Sequence, residues 1–244
     1  MILASAQTNP LENDIYGNLK QHYRLIELAL DHGADLIVFP EMSVTGYHRE
    51  NGKKIAFSGN DPRLDPLRML AADRNIIIII GAPLSMENEL YIGAFILYPD
   101  QTVSVYTKQF LHSGEEQFYK SSFDHNPIIE LNNERFSLAI CADIENQVHP
   151  ENAHKVNSTF YITSIFFSVE GMTGAYKKLE NYAKKYKMHI LMSNYCGRCW
   201  GLDAGGRSAF WDSNGELIAI LNDRPGLLVV EKNKNKCTGK TLEI

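Results

Sequence analysis

The segment Leu36-Ile37-Val38-Phe39-Pro40-Glu41 joins a short, almost wholly apolar run to a proline and a carboxylate. Such a run is typical of a strand that is covered on both faces of its sheet. Two later segments also end an apolar strand in a reactive side chain, namely Val103-Ser104-Val105-Tyr106-Thr107-Lys108 and Ser137-Leu138-Ala139-Ile140-Cys141. Ligands bind beyond the carboxyl ends of strands in open α/β sheets. We therefore predict an α/β fold in which these three strand ends converge on one site.

Strand and helix patterns are interleaved on both sides of this segment. Helical spacing of apolar residues predicts helices that begin near Asn13 as N-cap, run over 64–74, and return over 176–186. Apolar or alternating runs predict strands over 1–7, 35–39, 75–83, 89–98, 102–106, 128–131, 136–140, 159–167, 189–193, 208–211, 217–221 and 227–230. No linker or repeat divides the chain, so we predict one layered α/β domain over residues 1–244.

Composition narrows the class of protein. The 244 residues are 44% hydrophobic and 22% charged, which is ordinary for a globular chain. A net charge of −5 argues against a nucleic-acid partner, which needs a basic face. The longest apolar stretch, around Ile76 to Ile80, is too short to span a bilayer, so we expect no membrane association. Because no secretory signal is evident and the four cysteines need not pair, we expect a cytoplasmic protein.

Glu41, Lys108 and Cys141 together supply the groups that acyl transfer needs. A carboxylate can remove the thiol proton, the thiolate can attack a carbonyl carbon, and an ammonium can stabilise the oxyanion. Each residue alone has an ordinary interpretation: Glu41 as a solvated strand end, Lys108 as a rim lysine, Cys141 as a small buried apolar residue. The hypothesis of acyl transfer therefore depends on all three residues occurring together.

Three ordered segments resemble the motifs of the nitrilase (carbon–nitrogen hydrolase) superfamily. They are Phe39-Pro40-Glu41-Met42 with Thr45-Gly46-Tyr47, Tyr106-Thr107-Lys108-Gln109-Phe110-Leu111, and Ile140-Cys141-Ala142-Asp143. The resemblance extends to Gly205-Gly206-Arg207-Ser208 and Asp212-Ser213-Asn214-Gly215 near the end of the chain. It implies a four-layer αββα sandwich and hydrolysis of a small amide without metal or organic cofactor. Cys141 would form a thioester, Glu41 would act as base, and Lys108 with the backbone N–H after Cys141 would hold the oxyanion.

The resemblance also implies a second glutamate shortly after the lysine. Glu115 and Glu116 both fit, and the aromatic residues Phe118 and Tyr119 that follow favour Glu115. From the same resemblance we predict that four further residues contact the substrate: Tyr47, Ala142, Ser164 and Tyr195.

The sequence constrains the identity of the substrate less than it constrains the type of reaction. Nitrilases follow their cysteine with Trp-Glu, so Ala142-Asp143 argues against a nitrile. The insertion Ile144 to Val148 before His149 suggests a reshaped pocket wall. An N-carbamoyl hydrolase would use the same catalytic residues plus a carboxylate-binding side chain, for which Arg198 and His149 are candidates. A catalytically silent binding protein on this fold is the alternative outside enzymology.

Cys196-Gly197-Arg198-Cys199 is a C-x-x-C motif, which can serve redox chemistry or supply half a zinc site. No second pair or histidine cluster completes it, so we predict no metal and interpret it as a loop with incidental thiols. The family resemblance implies that this loop borders the active-site mouth, where Tyr195 or Cys196 could touch substrate.

The helix over 176–186 carries tyrosines on one stripe, and aromatic residues are enriched at protein interfaces. The family resemblance implies that subunits pair through this region. We therefore expect a homodimer.

Overall fold

The computed structural model describes residues 1–234 and 236–244. In this part of the chain the strands are β1 (Ile2–Gln7), β2 (Leu36–Val38), β3 (Ile77–Met86), β4 (Glu89–Leu97), β5 (Val103–Thr107), β6 (Ile129–Leu131), β7 (Glu134–Ile140), β8 (Phe160–Ser164), β9 (His189–Ser193), β10 (Arg198–Cys199), β11 (Leu202–Asp203), β12 (Ala209–Trp211), β13 (Leu217–Ile220), β14 (Gly226–Asn233) and β15 (Lys236–Glu243). The α-helices are α1 (Ile15–Asp31), α2 (Gly52–Ile55), α3 (Asp65–Arg74), α4 (Val148–Lys155) and α5 (Val169–Tyr186). Short 3₁₀ turns span Pro62–Leu64, Glu115–Gln117 and Cys141–Glu145.

Two large sheets form the centre of the molecule. One has the strand order β15-β14-β1-β2-β3-β4-β5, and the other has the order β13-β12-β9-β8-β7-β6. Strands β1, β2 and β3 are parallel, as are β7, β8 and β9, whereas the flanking strands are antiparallel. Strands β10 and β11 make a separate small hairpin.

Helices cover the outer face of each sheet. Residues of β1 alternate between two cores: Leu3 lies in the apolar core between the sheets, while Ala4 and Ala6 lie in the core beneath α1 and α3. Helices α4 and α5 pack on the other sheet through buried residues such as Ala153 and Leu179. The molecule is therefore the predicted four-layer αββα sandwich.

Serine hydroxyls join the two sheets across their interface. Ser5 Oγ donates to the Met192 carbonyl at 2.8 Å, and Ser193 Oγ donates to the Ala6 carbonyl at 2.6 Å. Small side chains at these positions let the backbones approach, and the hydrogen bonds satisfy groups that water does not reach. Both hydrogen bonds lie near the ends of parallel strands, and they fix the relative position of the two sheets there.

Local structure departs from the sequence predictions at several places. Asp14, not Asn13, caps α1, because its Oδ1 accepts the Gly17 N–H at 2.9 Å while Asn13 adopts φ 62°. Strand β8 ends at Ser164 instead of running to Phe167, since the chain leaves the sheet there. Strand β15 and helix α4 were not predicted at all.

The predicted tyrosine stripe of α5 is not a free surface. Tyr182 and Tyr186 are buried within their own chain, and the Tyr182 hydroxyl donates to the Ile144 carbonyl at 2.9 Å. Tyr176 packs edge-on against Trp211 with ring centroids 4.9 Å apart. The argument for a dimer interface from this stripe was therefore wrong, because the stripe packs onto the chain's own sheet.

Candidate active site

Glu41 follows β2 in a tight turn that the neighbouring strand supports. The Phe39 N–H still bonds to the Ile79 carbonyl at 2.9 Å, and after Pro40 the chain turns away from the sheet. Met42 adopts φ 54° as the chain turns, and the Val44 N–H bonds to the Gly81 carbonyl at 3.0 Å. These contacts hold Glu41 at the carboxyl end of the sheet with 1% of its surface exposed.

Cys141 stands at a sharp turn directly after β7. Its φ of 45° is sparsely populated for a residue with a side chain, and such strain concentrates at functional sites. The conformation is stabilised by Asp143, whose Oδ2 accepts the Ile140 N–H at 2.8 Å and the Tyr106 hydroxyl at 2.6 Å. The turn therefore presents the thiol beyond the strand end, as in a nucleophile elbow.

Asp143 also ties this turn to the segment that carries the lysine. Its Oδ1 accepts the backbone N–H groups of Gln109 at 3.0 Å and Phe110 at 2.8 Å, directly after Lys108. One buried carboxylate thus fixes the separation between the cysteine turn of one sheet and the end of β5 in the other.

Lys108 has no exposed side-chain surface and lies between two carboxylates. Its Nζ donates to Glu41 Oε1 at 2.7 Å and to Glu115 Oε1 at 2.9 Å. A buried ammonium requires partners of this kind, because an isolated charge in the protein interior is very unfavourable. The structure therefore brings together Glu41, Lys108 and Glu115, with Cys141 beside them.

The two glutamates of the 3₁₀ turn have different surroundings. Glu115 is fully buried: Oε1 also accepts the Tyr47 hydroxyl at 2.5 Å, and Oε2 accepts the His112 N–H at 2.8 Å. Glu116 is exposed. Glu115 thus uses both of its oxygens within the protein, whereas the Oε2 atom of Glu41 is buried without a hydrogen-bond partner among the described residues.

Burial and neighbouring charges shift the ionisation of the central groups. Burial raises the pKa of Glu41 to about 7, against the opposing effect of the Lys108 ammonium. Burial alone would lower the pKa of Lys108, but the charges of Glu41, Cys141 and Glu115 outweigh it and raise that pKa. Burial, followed by the charge of Glu41, raises the pKa of the Cys141 thiol well above its usual value. The free site therefore holds a protonated thiol beside a carboxyl group that titrates near neutral pH.

A cavity of about 330 Å³ opens beside the thiol. A site of this size suits a small ligand. Aromatic rings form much of the wall, with Phe166 and Trp200 lying 5.4 and 5.3 Å from the ring of Tyr47. The lining residues are Glu41, Tyr47, Arg49, His112, Ser113, Cys141, Phe166, Phe167, Ser168, Trp200 and Leu202.

Arg49 places a guanidinium on the wall of this cavity. It stacks over Trp200 with 4.3 Å to the ring centroid, its Nε donates to the Tyr47 hydroxyl at 3.2 Å, and its Nη1 donates to the Ser113 carbonyl at 3.3 Å. Trp200 is held at the turn of the β10–β11 hairpin, where its backbone N–H donates to Glu12 Oε1 at 2.6 Å. The side chain of Arg49 is therefore fixed before any ligand arrives.

Of the four predicted substrate contacts, only Tyr47 lines the cavity. Ser164 is buried and its hydroxyl donates to the Phe39 carbonyl at 2.9 Å, so it joins the two sheets instead. Tyr195 is fully buried behind Phe166, with ring centroids 4.9 Å apart. Ala142 is 5% exposed and does not line the cavity, so its backbone N–H is the remaining candidate contact.

The residues expected to reshape the pocket lie elsewhere. His149 is buried between Tyr106 and Tyr161, with its ring nitrogens 2.8 and 2.7 Å from their hydroxyl oxygens. Arg198 is exposed outside the cavity, and residues 144–148 do not line it. Neither candidate for carboxylate binding, His149 or Arg198, therefore lines the cavity, whereas Arg49 does.

The C-x-x-C cysteines are free thiols, and both are buried. Cys199 belongs to β10, and neither Cys196 nor Cys199 lines the cavity, so the predicted contact of Cys196 with substrate is not seen. Within residues 1–234 and 236–244, no group of three or more His, Cys, Asp or Glu side chains is placed to hold a metal ion. None of the helices in that part of the chain has the length and apolar character needed to cross a membrane.

Sequence reasoning missed Arg49 and His112 in the cavity wall. Both stand in irregular segments, four residues or fewer from a motif residue, where no periodicity indicates which way a side chain points. A charged or titratable residue close to a catalytic motif was the only available signal.

The four-layer sandwich places a glutamate and a strand-end cysteine on the wall of one cavity, with a buried lysine bonded to that glutamate. The sequence pattern of the carbon–nitrogen hydrolase family matches residues 2–239, and the chain belongs to that family. This confirms the nitrilase-superfamily resemblance.

Among curated relatives, the glutamine-dependent NAD(+) synthetase of Thermotoga maritima is 25% identical over 224 residues, which are 87% of this chain and 38% of that protein. This chain thus spans about two fifths of that relative. A hydrolase of Pseudomonas protegens, from the pqqF 5' region, is 24% identical over 237 residues, covering 94% of this chain and 81% of the relative.

Solved structures show the same fold. The NitN amidase from Nesterenkonia AN1 superposes with a TM-score of 0.86 at 22% identity, covering 96% of this chain and 93% of that one. A variant of the same amidase carries the acetamide moiety of fluoroacetamide covalently at its active-site cysteine, with a TM-score of 0.85, 22% identity, and 94% and 89% coverage.

Proposed function

We propose that this protein is an amidase that hydrolyses a small amide through a thioester on Cys141, with Glu41, Lys108 and Glu115 as the other catalytic groups. One observation carries the proposal: Glu41 Oε1 is engaged by Lys108 at 2.7 Å, while Oε2 is buried without a hydrogen-bond partner among the described residues, on the cavity that Cys141 also lines. A buried oxygen without a partner is unfavourable unless it serves a bound group. The thiol proton, and later a water molecule, would supply that partner.

The reaction proceeds in two acyl-transfer steps. Glu41 Oε2 takes the thiol proton as Cys141 Sγ attacks the amide carbon, and Lys108 with the Ala142 backbone N–H stabilises the oxyanion. The amide C–N bond then breaks, and the leaving nitrogen takes the proton from Glu41. Glu41 next deprotonates a water molecule that attacks the thioester, and the proton returns to the thiol as the carboxylic acid leaves.

The ionisation of the site supports these roles. A general acid–base group is most effective when its pKa lies near the working pH, and burial raises the pKa of Glu41 to about 7. Lys108 has a raised pKa and so keeps its charge throughout. Glu115 uses both oxygens in hydrogen bonds, which suits a residue that orients Lys108 and does not exchange protons.

The test is intact-protein mass spectrometry during incubation with a panel of small amides, combined with an assay for ammonia. We expect an acyl adduct on Cys141 and ammonia release, both abolished in Cys141→Ala. Glu41→Gln should lose turnover. Absence of any adduct and of ammonia with every amide would contradict the proposal and favour a silent binding protein on this fold.

Arg49 favours a second candidate, an N-carbamoyl amino-acid hydrolase or an amidase for amides that carry a carboxylate. Its guanidinium lies on the cavity wall, held against Trp200 and Tyr47, and guanidinium groups bind carboxylates with paired hydrogen bonds. The same catalytic residues would then release carbon dioxide and ammonia from a carbamoyl group.

The substitution Arg49→Gln distinguishes the two candidates. For a carboxylate-bearing substrate we expect KM to rise about tenfold or more, since a hydrogen bond to a charged group contributes about 1.5–3 kcal/mol. KM for an uncharged amide such as propionamide should change little. Arg198→Gln, at an exposed arginine outside the cavity, is the matched control. Equal effects on charged and uncharged substrates would exclude carboxylate recognition by Arg49.

A further inference from the structure

His112 contacts the sulfur of the candidate nucleophile. Its Nε2 lies 3.2 Å from Cys141 Sγ, and its ring forms part of the cavity wall. The position of this residue is set by the site itself, because its backbone N–H donates to Glu115 Oε2 at 2.8 Å. The mechanism proposed above uses Glu41, Lys108, Cys141 and Glu115, and it gives this imidazole no function.

The remaining contacts of the sulfur show what such a group can do. The Phe166 carbonyl oxygen lies 3.5 Å from Sγ and can only accept a hydrogen bond. Glu41 is likewise an acceptor when it is ionised. Once Glu41 has taken the thiol proton it must pass that proton on to the leaving nitrogen, and the Phe166 carbonyl offers no donor at all. A second donor that stays on the sulfur would stabilise the charge that develops during attack.

The protonation state of His112 determines how it can act. Its charged and titratable neighbours are Lys108 and Glu115 of its own segment, Arg49, and Cys141. Burial, and then the positive charges of Lys108 and Arg49, lower the pKa of the imidazole to about 4 despite the opposing charge of Glu115. His112 is therefore neutral at neutral pH, with one N–H donor and one acceptor nitrogen. The lowered pKa of His112 and the raised pKa of Cys141 both disfavour an imidazolium–thiolate pair in the free site.

We propose that His112 is a further catalytic residue, whose neutral Nε2–H donates a hydrogen bond to Cys141 Sγ and stabilises the thiolate during attack. This inference rests on the proposed function, since it adds a group to the same site. The Nε2–H tautomer is the one that leaves the thiol proton free to face Glu41. The other tautomer would direct the thiol proton to the imidazole and away from the base.

No bond to hydrogen breaks at His112 in this scheme. The thiol proton passes from Sγ to Glu41 Oε2, and the electron pair that remains on sulfur forms the bond to the amide carbon. The Nε2–H of His112 points at sulfur throughout and its hydrogen bond is strongest while the sulfur carries charge. No oxidant, reductant or additional reactant is needed.

The experiment measures alkylation of Cys141 by iodoacetamide as a function of pH, read at the Cys141 peptide by mass spectrometry. The thiolate is the species that reacts. In His112→Leu we expect the rate at neutral pH to fall about tenfold and the midpoint of the pH profile to rise about one unit, because one pKa unit is a factor of ten. His112→Gln keeps an N–H donor and should restore most of the rate.

His154→Leu is the control, because His154 is an exposed histidine of α4 that does not line the cavity. A rate and midpoint in His112→Leu equal to those of the unaltered protein would overturn the proposal. Faster alkylation would also overturn it, since His112 would then only shield the sulfur. Thermal unfolding of each variant confirms that it is folded.

Alkylation requires no amide turnover, which separates this inference from the proposed function. If no amide is hydrolysed but His112→Leu still raises the thiol midpoint, the amidase proposal fails and the hydrogen bond to sulfur stands. If amides are hydrolysed and His112→Leu leaves both alkylation and kcat/KM unchanged, the amidase proposal stands and the role of His112 is wrong.

Discussion

Lys108 illustrates how one residue sets the chemistry of its neighbours. It lies fully buried between Glu41 and Glu115, so one positive charge faces two carboxylates. The site accommodates the imbalance unequally: the pKa of Glu41 is raised, and that of Glu115 is lowered because Lys108 and the Tyr47 hydroxyl outweigh the effect of burial. Because the charge on each carboxylate affects the pKa of the other, the two groups titrate as a pair.

Glu115→Gln should therefore affect both stability and catalysis. Removing one partner of a buried ion pair typically costs about 3–5 kcal/mol in unfolding free energy, and we expect a loss of about 3 kcal/mol because Glu41 still pairs with Lys108. Loss of the Glu115 charge should also lower the pKa of Glu41, moving the acidic limb of the pH–rate profile to lower pH. Urea unfolding and kcat/KM against pH measure both effects.

Glu116→Gln is the control for this prediction, because Glu116 is the adjacent, exposed acid. We expect its stability and activity to equal those of the unaltered protein. Normal activity in Glu115→Gln together with loss in Glu116→Gln would mean that the wrong glutamate has been assigned.

His22 makes stability depend on pH. Its Nδ1–H donates to the Asn18 carbonyl at 2.7 Å, and Nε2, 2.9 Å from Ser43 Oγ, accepts from that hydroxyl. Burial lowers the folded-state pKa of His22 from 6.5 to about 4. Between these values the unfolded chain binds a proton that the folded protein does not, so stability is fully present above about pH 6.5 and is lost as pH falls towards 4.

We expect His22 to reduce the unfolding free energy by about 1 kcal/mol between about pH 7.5 and pH 5.5. The buried His149 and His189, whose pKa values are also lowered by burial, act in the same direction. Urea unfolding at the two pH values tests this prediction. His22→Gln should show a smaller loss between them, whereas His154→Gln, at an exposed histidine of α4, should not. An identical pH dependence in His22→Gln would contradict the assignment.

At the scale of elements, β3 supports the turn that carries Glu41. A methyl group at Gly81 would lie 2.4 Å from the Met42 nitrogen and 2.8 Å from the Pro40 carbonyl oxygen. Backbone atoms cannot yield as a flexible side chain can. The glycine therefore permits the close approach that places Glu41 at the end of the sheet.

Gly81→Ala should displace this turn and reduce both stability and turnover. Overpacking of this kind costs about 1–3 kcal/mol, measurable by urea unfolding. A displacement of catalytic groups by about 1 Å can reduce turnover about 100-fold. Gly59→Ala is the control, since an added methyl there meets no atom within 4 Å. Unchanged kcat/KM in Gly81→Ala would show that the turn does not depend on this contact.

The elements that sequence predicted best are those whose burial is visible as continuous apolar character. Strands β2, β3 and β9 are buried on both faces, and their sequences are correspondingly apolar. Strand β15 was missed because it is an edge strand with mostly exposed residues such as Lys236 and Lys240. Helix α4 was missed because it is short and contains Pro150, which is tolerated there because it lies in the first turn.

The residues of the candidate site also differ in whether the sequence could predict them. Glu41, Lys108 and Cys141 could be predicted because each ends a strand, and strand ends of layered α/β folds converge. Ser164 also ends a strand, but its hydroxyl bonds to the opposite sheet, which depends on how the two sheets are packed and not on the strand itself. Arg49 and His112 reach the cavity from irregular segments, whose course is set by tertiary contacts.

At the scale of the whole molecule, the two sheets each contribute part of the site. Glu41 and Lys108 extend from the ends of β2 and β5 in the larger sheet, and Cys141 extends from β7 in the smaller one. The carboxylate of Asp143 and the hydrogen bond from Ser164 to the Phe39 carbonyl cross between them. A change in sheet packing therefore alters the distance from the base to the nucleophile.

The outer face of α5 is the part of this helix that is available for contact with a second chain. The buried tyrosines of α5 cannot form an interface, so a homodimer through this helix would have to use its outer face. That face presents Gly174, which is exposed and has no atom within 4 Å of an added side chain. A two-fold contact uses the same patch of both partners, so one bulky substitution alters the interface twice.

We expect a homodimer that buries on the order of 2,000 Å² in total, with a mass by light scattering of two 27.6 kDa chains at low micromolar concentration. Gly174→Arg should convert it to a monomer without loss of fold, because Gly174 is exposed and an added Cβ atom there meets no atom within 4 Å. Gly59→Arg, at a glycine with equal space on another part of the chain, should leave the dimer intact. A mass of one chain for the unaltered protein would refute the dimer, and a dimer that persists in Gly174→Arg would place the interface away from the outer face of α5.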